Sequence, residues 1–135
     1  MGQKSQEDYL GAIYLIYEKQ VDKSAGVKSV DIANYLQVSK PSVSEMLRKL
    51  EKKGLIKAKP YSNISFTRKG LKEARRITHN RRVIEVFLKD SLRCKTEEIH
   101  EEAHKLEHAF SEKLIKKLDN FLKNPKMCPH GELIH

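Results

Sequence analysis

The tightest constraint on this chain is a connection two residues long between two amphipathic segments. Ser29-Val30-Asp31-Ile32-Ala33-Asn34-Tyr35-Leu36 predicts a short helix with Val30, Ala33 and Leu36 turned inward. Gln37-Val38 leaves room only for a tight turn. Ser39 or Lys40 then caps a new helix, and Pro41 sits in its first turn, where a missing N–H costs nothing. Val43, Met46, Leu47 and Leu50 form the buried stripe of that helix, and Gly54 ends it.

Two short strands are predicted next, Leu55 to Pro60 and Ile64 to Thr67, with Tyr61-Ser62-Asn63 as the turn between them. Helix, short turn, helix and hairpin is the order of a winged helix-turn-helix. Ahead of it, Ser5-Gln6-Glu7-Asp8 starts a helix that carries Tyr9, Leu10, Ile13, Tyr14, Ile16 and Tyr17 and fades near Asp22–Gly26. Behind it come a long helix over roughly 69–93, a helix over about 96–110 and another from Ser111 through Leu122. The segment 124–135 holds two Pro and one Gly and is expected to be irregular. The fold class is therefore mainly α: a winged helix-turn-helix over 1–70, then a helical region over 71–135.

Charge divides the chain in a similar way. Residues 1–76 carry 16 Lys and Arg against 8 Asp and Glu, whereas residues 77–135 carry 11 against 10. The front half is thus the polyanion-binding candidate, because cationic side chains gain affinity for phosphates by releasing condensed counterions. Lysine-rich solubility accounts for the charge alone equally well. All six His lie in the back half. No apolar run approaches the roughly 18–20 residues that span a membrane. Cys94 and Cys128 make no disulfide framework, so a reducing cytoplasm is the expected compartment.

The outward face of the third helix supports double-stranded DNA as the partner. It shows Ser39, Lys40, Pro41, Ser42, Ser44, Glu45, Arg48 and Lys49. Short side chains near the N-terminus approach base edges without bulk, which favours Ser42, Ser44 and Glu45 for base readout. Ser39, Arg48 and Lys49 suit phosphates. Many small helical domains carry such a face without touching DNA; here the helix spacing, the hairpin and the charge agree.

A second cluster follows in Ile99-His100-Glu101-Glu102-Ala103-His104-Lys105-Leu106-Glu107-His108. At 100° per residue, Glu107, His100, His104 and His108 fall at roughly −20°, 0°, 40° and 80°, within one arc about 100° wide. Imidazole and carboxylate together suit Mn, Fe, Co or Zn. One helix cannot close a coordination sphere, so Asp8 and Glu85 are candidates for further ligands. A surface helix with Glu–Lys pairs is the plainer reading.

Taken together these residues resemble the diphtheria-toxin-repressor family of metalloregulators, in the short manganese-repressor type without a C-terminal barrel domain. The likeness runs through Glu7-Asp8-Tyr9-Leu10, Val30-Asp31-Ile32-Ala33, Val38 to Ser44, Leu50 to Ile56, Thr67-Arg68-Lys69-Gly70, Glu101 to His108 and Cys128-Pro129-His130-Gly131. It implies a homodimeric repressor in which a divalent metal, Mn or Fe(II) with Zn or Co as substitutes, orients two winged helices on a palindromic operator. It implies Asp8, His104, Glu107 and His108 as main ligands, with Glu85 and His100 from a second site and Cys128 or His130 reaching in. Two positions depart from the manganese type: Gly11 replaces a Glu ligand, and Arg81 replaces a His. A single site is therefore expected rather than a two-metal cluster, with Arg81 able to pair with Glu85 one turn on.

Two rival functions remain open on sequence grounds. One is a winged-helix regulator that needs no metal. The other is a zinc metallopeptidase, because His104-Lys105-Leu106-Glu107-His108 matches the H-x-x-E-H string. Such enzymes need a third ligand and a substrate cleft, and a winged helix has no role in them.

Overall fold

The computed structural model describes residues 4–58 and 63–134, which fall into two compact units, Met1–Arg75 and Arg76–His135. In the first, α1 (Gln6–Lys19) begins at a capping box: Asp8 N–H donates to Ser5 Oγ at 3.1 Å, and Ser5 N–H donates to Asp8 Oδ2 at 2.8 Å. A single 3₁₀ turn at Lys23–Ala25 leads to α2 (Ser29–Leu36), and Gln37 in the left-handed region closes that helix. Ser39, not Lys40, caps α3 (Lys40–Lys52), accepting a hydrogen bond from Ser42 N–H. The two-residue spacing thus gives the helix-turn-helix.

The end of α3 decides how the hairpin leaves it. Gly54, at φ +76°, lets its N–H reach Glu51 O and lets Leu55 N–H reach Leu50 O at 3.0 Å. These two bonds form a Schellman motif, and Leu50 and Leu55 are both buried beside it. Strands β1 (Ile56–Ala58) and β2 (Ile64–Phe66) pair antiparallel with Ile56 opposite Phe66. Val27 bridges β2 through both backbone bonds with Ile64, at 2.7 and 2.8 Å. Lys59, Pro60, Tyr61 and Ser62 of the expected hairpin lie outside the described residues.

Thr67 belongs to the next helix rather than to the strand. Its hydroxyl accepts from Gly70 N–H at 3.0 Å and donates to Gly54 O at 2.6 Å, so it caps α4 (Arg68–Val86). Leu10, Ile13, Ile32, Val43, Leu50 and Ile56 fill the centre of this unit. Two expectations change here. On α2 it is Ile32 and Ala33 that are buried, while Val30 is 42 % exposed. Met46 on α3 is only half-buried.

In the second unit the long helix does not run unbroken to 93. It widens into a π turn over Phe87–Ser91, where Leu92 N–H bonds Phe87 O. Arg93 then turns left-handed before α5 (Thr96–Glu107). Ser111 caps α6 (Glu112–Phe121) through Leu114 N–H. Val83, Ile84, Leu88, Ile99, Ala103, Ile115 and Leu118 form one core. Leu114 and Phe121 of α6 are exposed, with Phe121 at 68 %.

The segment after α6 is more ordered than its composition predicts. Cys128 N–H donates to Glu132 O at 2.8 Å, Gly131 N–H to Cys128 O at 2.9 Å, and Met127 bridges Leu133. The chain there is a small closed turn. Among the described residues no helix is long and apolar enough to cross a membrane.

Candidate metal centre and nucleic-acid interface

All eight residues expected to face DNA are exposed on α3 or at its cap: Ser39, Lys40, Pro41, Ser42, Ser44, Glu45, Arg48 and Lys49. The Ser39 hydroxyl accepts from Ser42 N–H and donates to Ser42 Oγ at 2.8 Å, so it holds the start of the helix. Lys49 Nζ stands 3.8 Å from Glu45 Oε1 one turn back, an exposed pair of little energetic consequence. Arg48 and Lys49 therefore remain available to phosphates, while the first turn of α3 offers backbone N–H groups.

In the second unit, α5 brings together one triad. His104, Glu107 and His108 each offer a ligand atom within 4.8 Å of the others. The helical spacing sets the imidazoles edge to face, with centroids 5.4 Å apart. His108 Nε2 lies 3.5 Å from Glu107 Oε1. Glu107 is the buried member, its side chain only 3 % exposed. Asp8, expected as their co-ligand, belongs to the first unit, where its carboxylate accepts from Ser5 N–H.

A second triad forms around Glu85. Cys128 and His130 come to it from the closed turn, all three ligand atoms lying within 4.8 Å of one another, and His130 Nδ1 is 3.0 Å from Glu85 Oε2. His100, paired with Glu85 by the resemblance, lies exposed on α5 and joins neither triad. Burial pushes the Glu85 carboxyl above its ordinary value, against the opposing charges of His130, Arg81 and Arg82.

Both triads fit a divalent ion by donor chemistry. Metal bonds of about 2.0–2.3 Å place donors around one ion no more than about 4.6 Å apart. Small side-chain adjustments suffice from the separations present. His and carboxylate suit Mn, Fe, Co or Zn in the first triad, and the Cys128 sulfur adds softer character to the second.

Two arginines complete this region, and sequence reasoning placed only one of them. Arg81 sends Nε to within 4.0 Å of Glu107 Oε2 on α5, and its charge also bears on Glu85 one turn along its own helix. Arg82, with a side chain 3 % exposed, donates from Nη1 to Leu133 O at 2.7 Å and faces Glu132 at 3.8 Å. The one sequence signal for Arg82 is its position on α4 between Thr78 and Val86, both buried. His79 pairs with Asp119 at 2.9 Å.

Comparison with known proteins agrees with this arrangement. Residues 2–64 match the family model for the iron dependent repressor N-terminal DNA binding domain, and residues 67–135 match that for the iron dependent repressor metal binding and dimerisation domain. The chain is 33% identical over 123 residues to an HTH-type transcriptional regulator of Methanocaldococcus jannaschii, covering 91% of this chain and 96% of that one. It is 32% identical over 128 residues to the iron-dependent repressor IdeR of Mycobacterium leprae, covering 95% of this chain but 54% of that one. A solved manganese-dependent transcriptional repressor in complex with manganese matches with a TM-score of 0.86 at 32% identity, over 96% of this chain and 58% of that one. The chain thus spans nearly all of the archaeal relative and little more than half of the other two. With a DNA-binding unit, a metal-binding unit and both family models matched in order, the chain belongs to the iron-dependent repressor family.

Proposed function

We propose that this chain is a metal-dependent transcriptional repressor that binds a palindromic DNA operator as a homodimer. The observation that carries the reading is the pairing of a fully exposed α3 reading face with two donor triads in the unit that follows. The first triad, His104, Glu107 and His108, holds the regulatory ion, and Asp8 is proposed as its further ligand on the strength of the sequence resemblance. Glu85, Cys128 and His130 hold a second ion. Mn or Fe(II) is the preferred effector, with Zn and Co accepted by the same donors.

When bound, the metal supplies a double positive charge that draws carboxylate and imidazole ligands together. The chain does the rest by a population shift: ligands that fit the ion best in the DNA-competent arrangement favour that arrangement over the looser one. A peptidase reading of the H-x-x-E-H string fits poorly, because Glu107 is buried beside Arg81 and so ill placed to act as a general base.

The test selects genomic fragments on the purified chain and measures affinity with chelator, then with Mn, Fe(II) or Zn. One palindromic site bound at least about tenfold more tightly with metal, roughly 1.4 kcal/mol of coupling, is the expected result. Specific binding indifferent to chelation would favour the metal-independent regulator instead.

A further inference from the structure

The geometry points to Arg81 as the residue that sets the metal threshold of this protein: a fixed cation held against the buried ligand Glu107, stabilising the metal-free unit and opposing the incoming ion. The inference rests on the proposed metal centre and deepens it.

The two oxygens of Glu107 face different partners. Oε1 is 3.5 Å from His108 Nε2, on the side of the triad, while Oε2 is 4.0 Å from Arg81 Nε. At 4.0 Å the guanidinium is beyond hydrogen-bond reach, so what it contributes there is charge. Both side chains are enclosed, Arg81 at 13 % exposure and Glu107 at 3 %. A carboxylate that buried needs a compensating charge, and in the absence of metal Arg81 provides it.

Guanidinium cannot discharge itself by losing a proton at any physiological pH. When a divalent ion takes Glu107, the same carboxylate then serves two cations, and their repulsion is weakly screened where water is scarce. Arg82 donates to Leu133 O and approaches Glu132, and its charge also bears on Glu85. Arg81 also stands four residues before Glu85, so its charge is felt by carboxylates of both triads. A residue that merely held Glu107 in position would help metal binding; a residue that competes by charge would hinder it. The sign of the effect separates the two.

The experiment titrates the full-length chain with Mn(II) alone and Zn(II) alone, and compares it with Arg81→Gln, Arg81→Met and Arg81→Lys. The melting temperature of each metal-free protein is measured alongside. The neutral variants are expected to bind metal at least about tenfold more tightly than the parent, and to melt at lower temperature without it. Arg81→Lys keeps the charge and is expected to stay within about threefold of the parent in affinity. Neutral variants that fold yet bind metal equally or more weakly would overturn the proposal. If they fold only with metal added, the compensating role is supported. If they do not fold at all, Arg81→Lys decides: parent-like affinity supports the role of charge, and a change beyond tenfold overturns it. A parent chain that binds neither metal would instead sink the metal-centre reading itself, and that outcome is distinct from any result confined to the variants.

Discussion

Arg82 Nη1 donates to the carbonyl oxygen of Leu133 at 2.7 Å, across fifty-one positions of sequence. Through that bond and the approach to Glu132, α4 pins the closed turn that presents Cys128 and His130 to Glu85. Arg82→Ala removes a buried, charge-assisted hydrogen bond and is expected to cost about 2–3 kcal/mol of stability. The same variant should weaken the Glu85 triad for metal while leaving the His104–Glu107–His108 triad near its parent affinity. Urea denaturation and a two-site metal titration read the two effects separately; equal weakening of both triads would contradict the pinning role.

Cys128 gives the second triad its only sulfur. Cys128→Ser replaces a soft ligand by a hard, poorly ionised one, so Zn and Co should lose more affinity than Mn. The comparison is made by competition titration, and a uniform loss across the three metals would argue that Cys128 is packing rather than ligating.

Gly70 stands where no side chain fits. A Cβ there would lie 1.7 Å from Leu55 O, against backbone that the α3 terminus and β1 hold in place. Gly70→Ala should therefore destabilise by about 3 kcal/mol or more, at the upper end for a single substitution. Thermal melting checks it, and a shift of less than a few degrees would show that the helix start can move away.

On α3, Arg48→Ala is expected to lower affinity for all DNA sequences and to flatten the salt dependence by about one unit of slope, as loss of one phosphate contact does. Ser44→Ala should change preference among operator variants with little change in salt slope. Both positions are exposed, so circular dichroism should show unaltered folding. Identical behaviour of the two variants would remove the distinction between positioning and reading.

Glu112 links α6 to α4 through Arg76 Nη1 at 2.7 Å and Asn80 Nδ2 at 3.1 Å. Burial raises its carboxyl pKa, but the hydrogen bonds from Asn80 and Arg76 and the charges of Arg76 and His79 outweigh it, and the net shift is downward. A lowered acid contributes stability above its unfolded value, near 4.5, and loses it as pH falls through the folded value. Glu112→Gln should cost less than about 1 kcal/mol at neutral pH, since the carboxylate is more than half exposed. The gap between variant and parent should close as pH drops below 4.5, which pH-dependent denaturation will show.

The parts of the fold that sequence reveals are those decided within a turn or two of chain. Ser5 with Asp8, Ser39 ahead of Pro41, and Gly54 after Leu50 each fix a helix end through atoms three to five residues away. His104, Glu107 and His108 are legible for the same reason, since one helix spaces them. Arg81 facing Glu107, and Glu85 facing Cys128 and His130, depend on which helices pack together, and no local pattern carries that information. Val30 misleads because α2 is too short for its periodicity to fix a face, and Ile32 takes the buried place. The turn over Cys128–Glu132 is hidden by Pro and Gly, which mark a break in regular structure without telling whether the break is tied down.

The bridge between Val27 and Ile64 has a consequence for how DNA is met. It clamps the turn-proximal end of β2 to the segment that enters α2, while Thr67 and the Schellman bonds clamp the base of the hairpin to α3. The reading helix and the base of the wing are thereby one rigid tool, whose conformational freedom is surrendered during folding and not at the operator. Such a tool docks fast or not at all, and it has little capacity to reshape itself around an imperfect site. Discrimination between operators then falls on their spacing and on how readily the DNA itself bends to suit two inflexible heads.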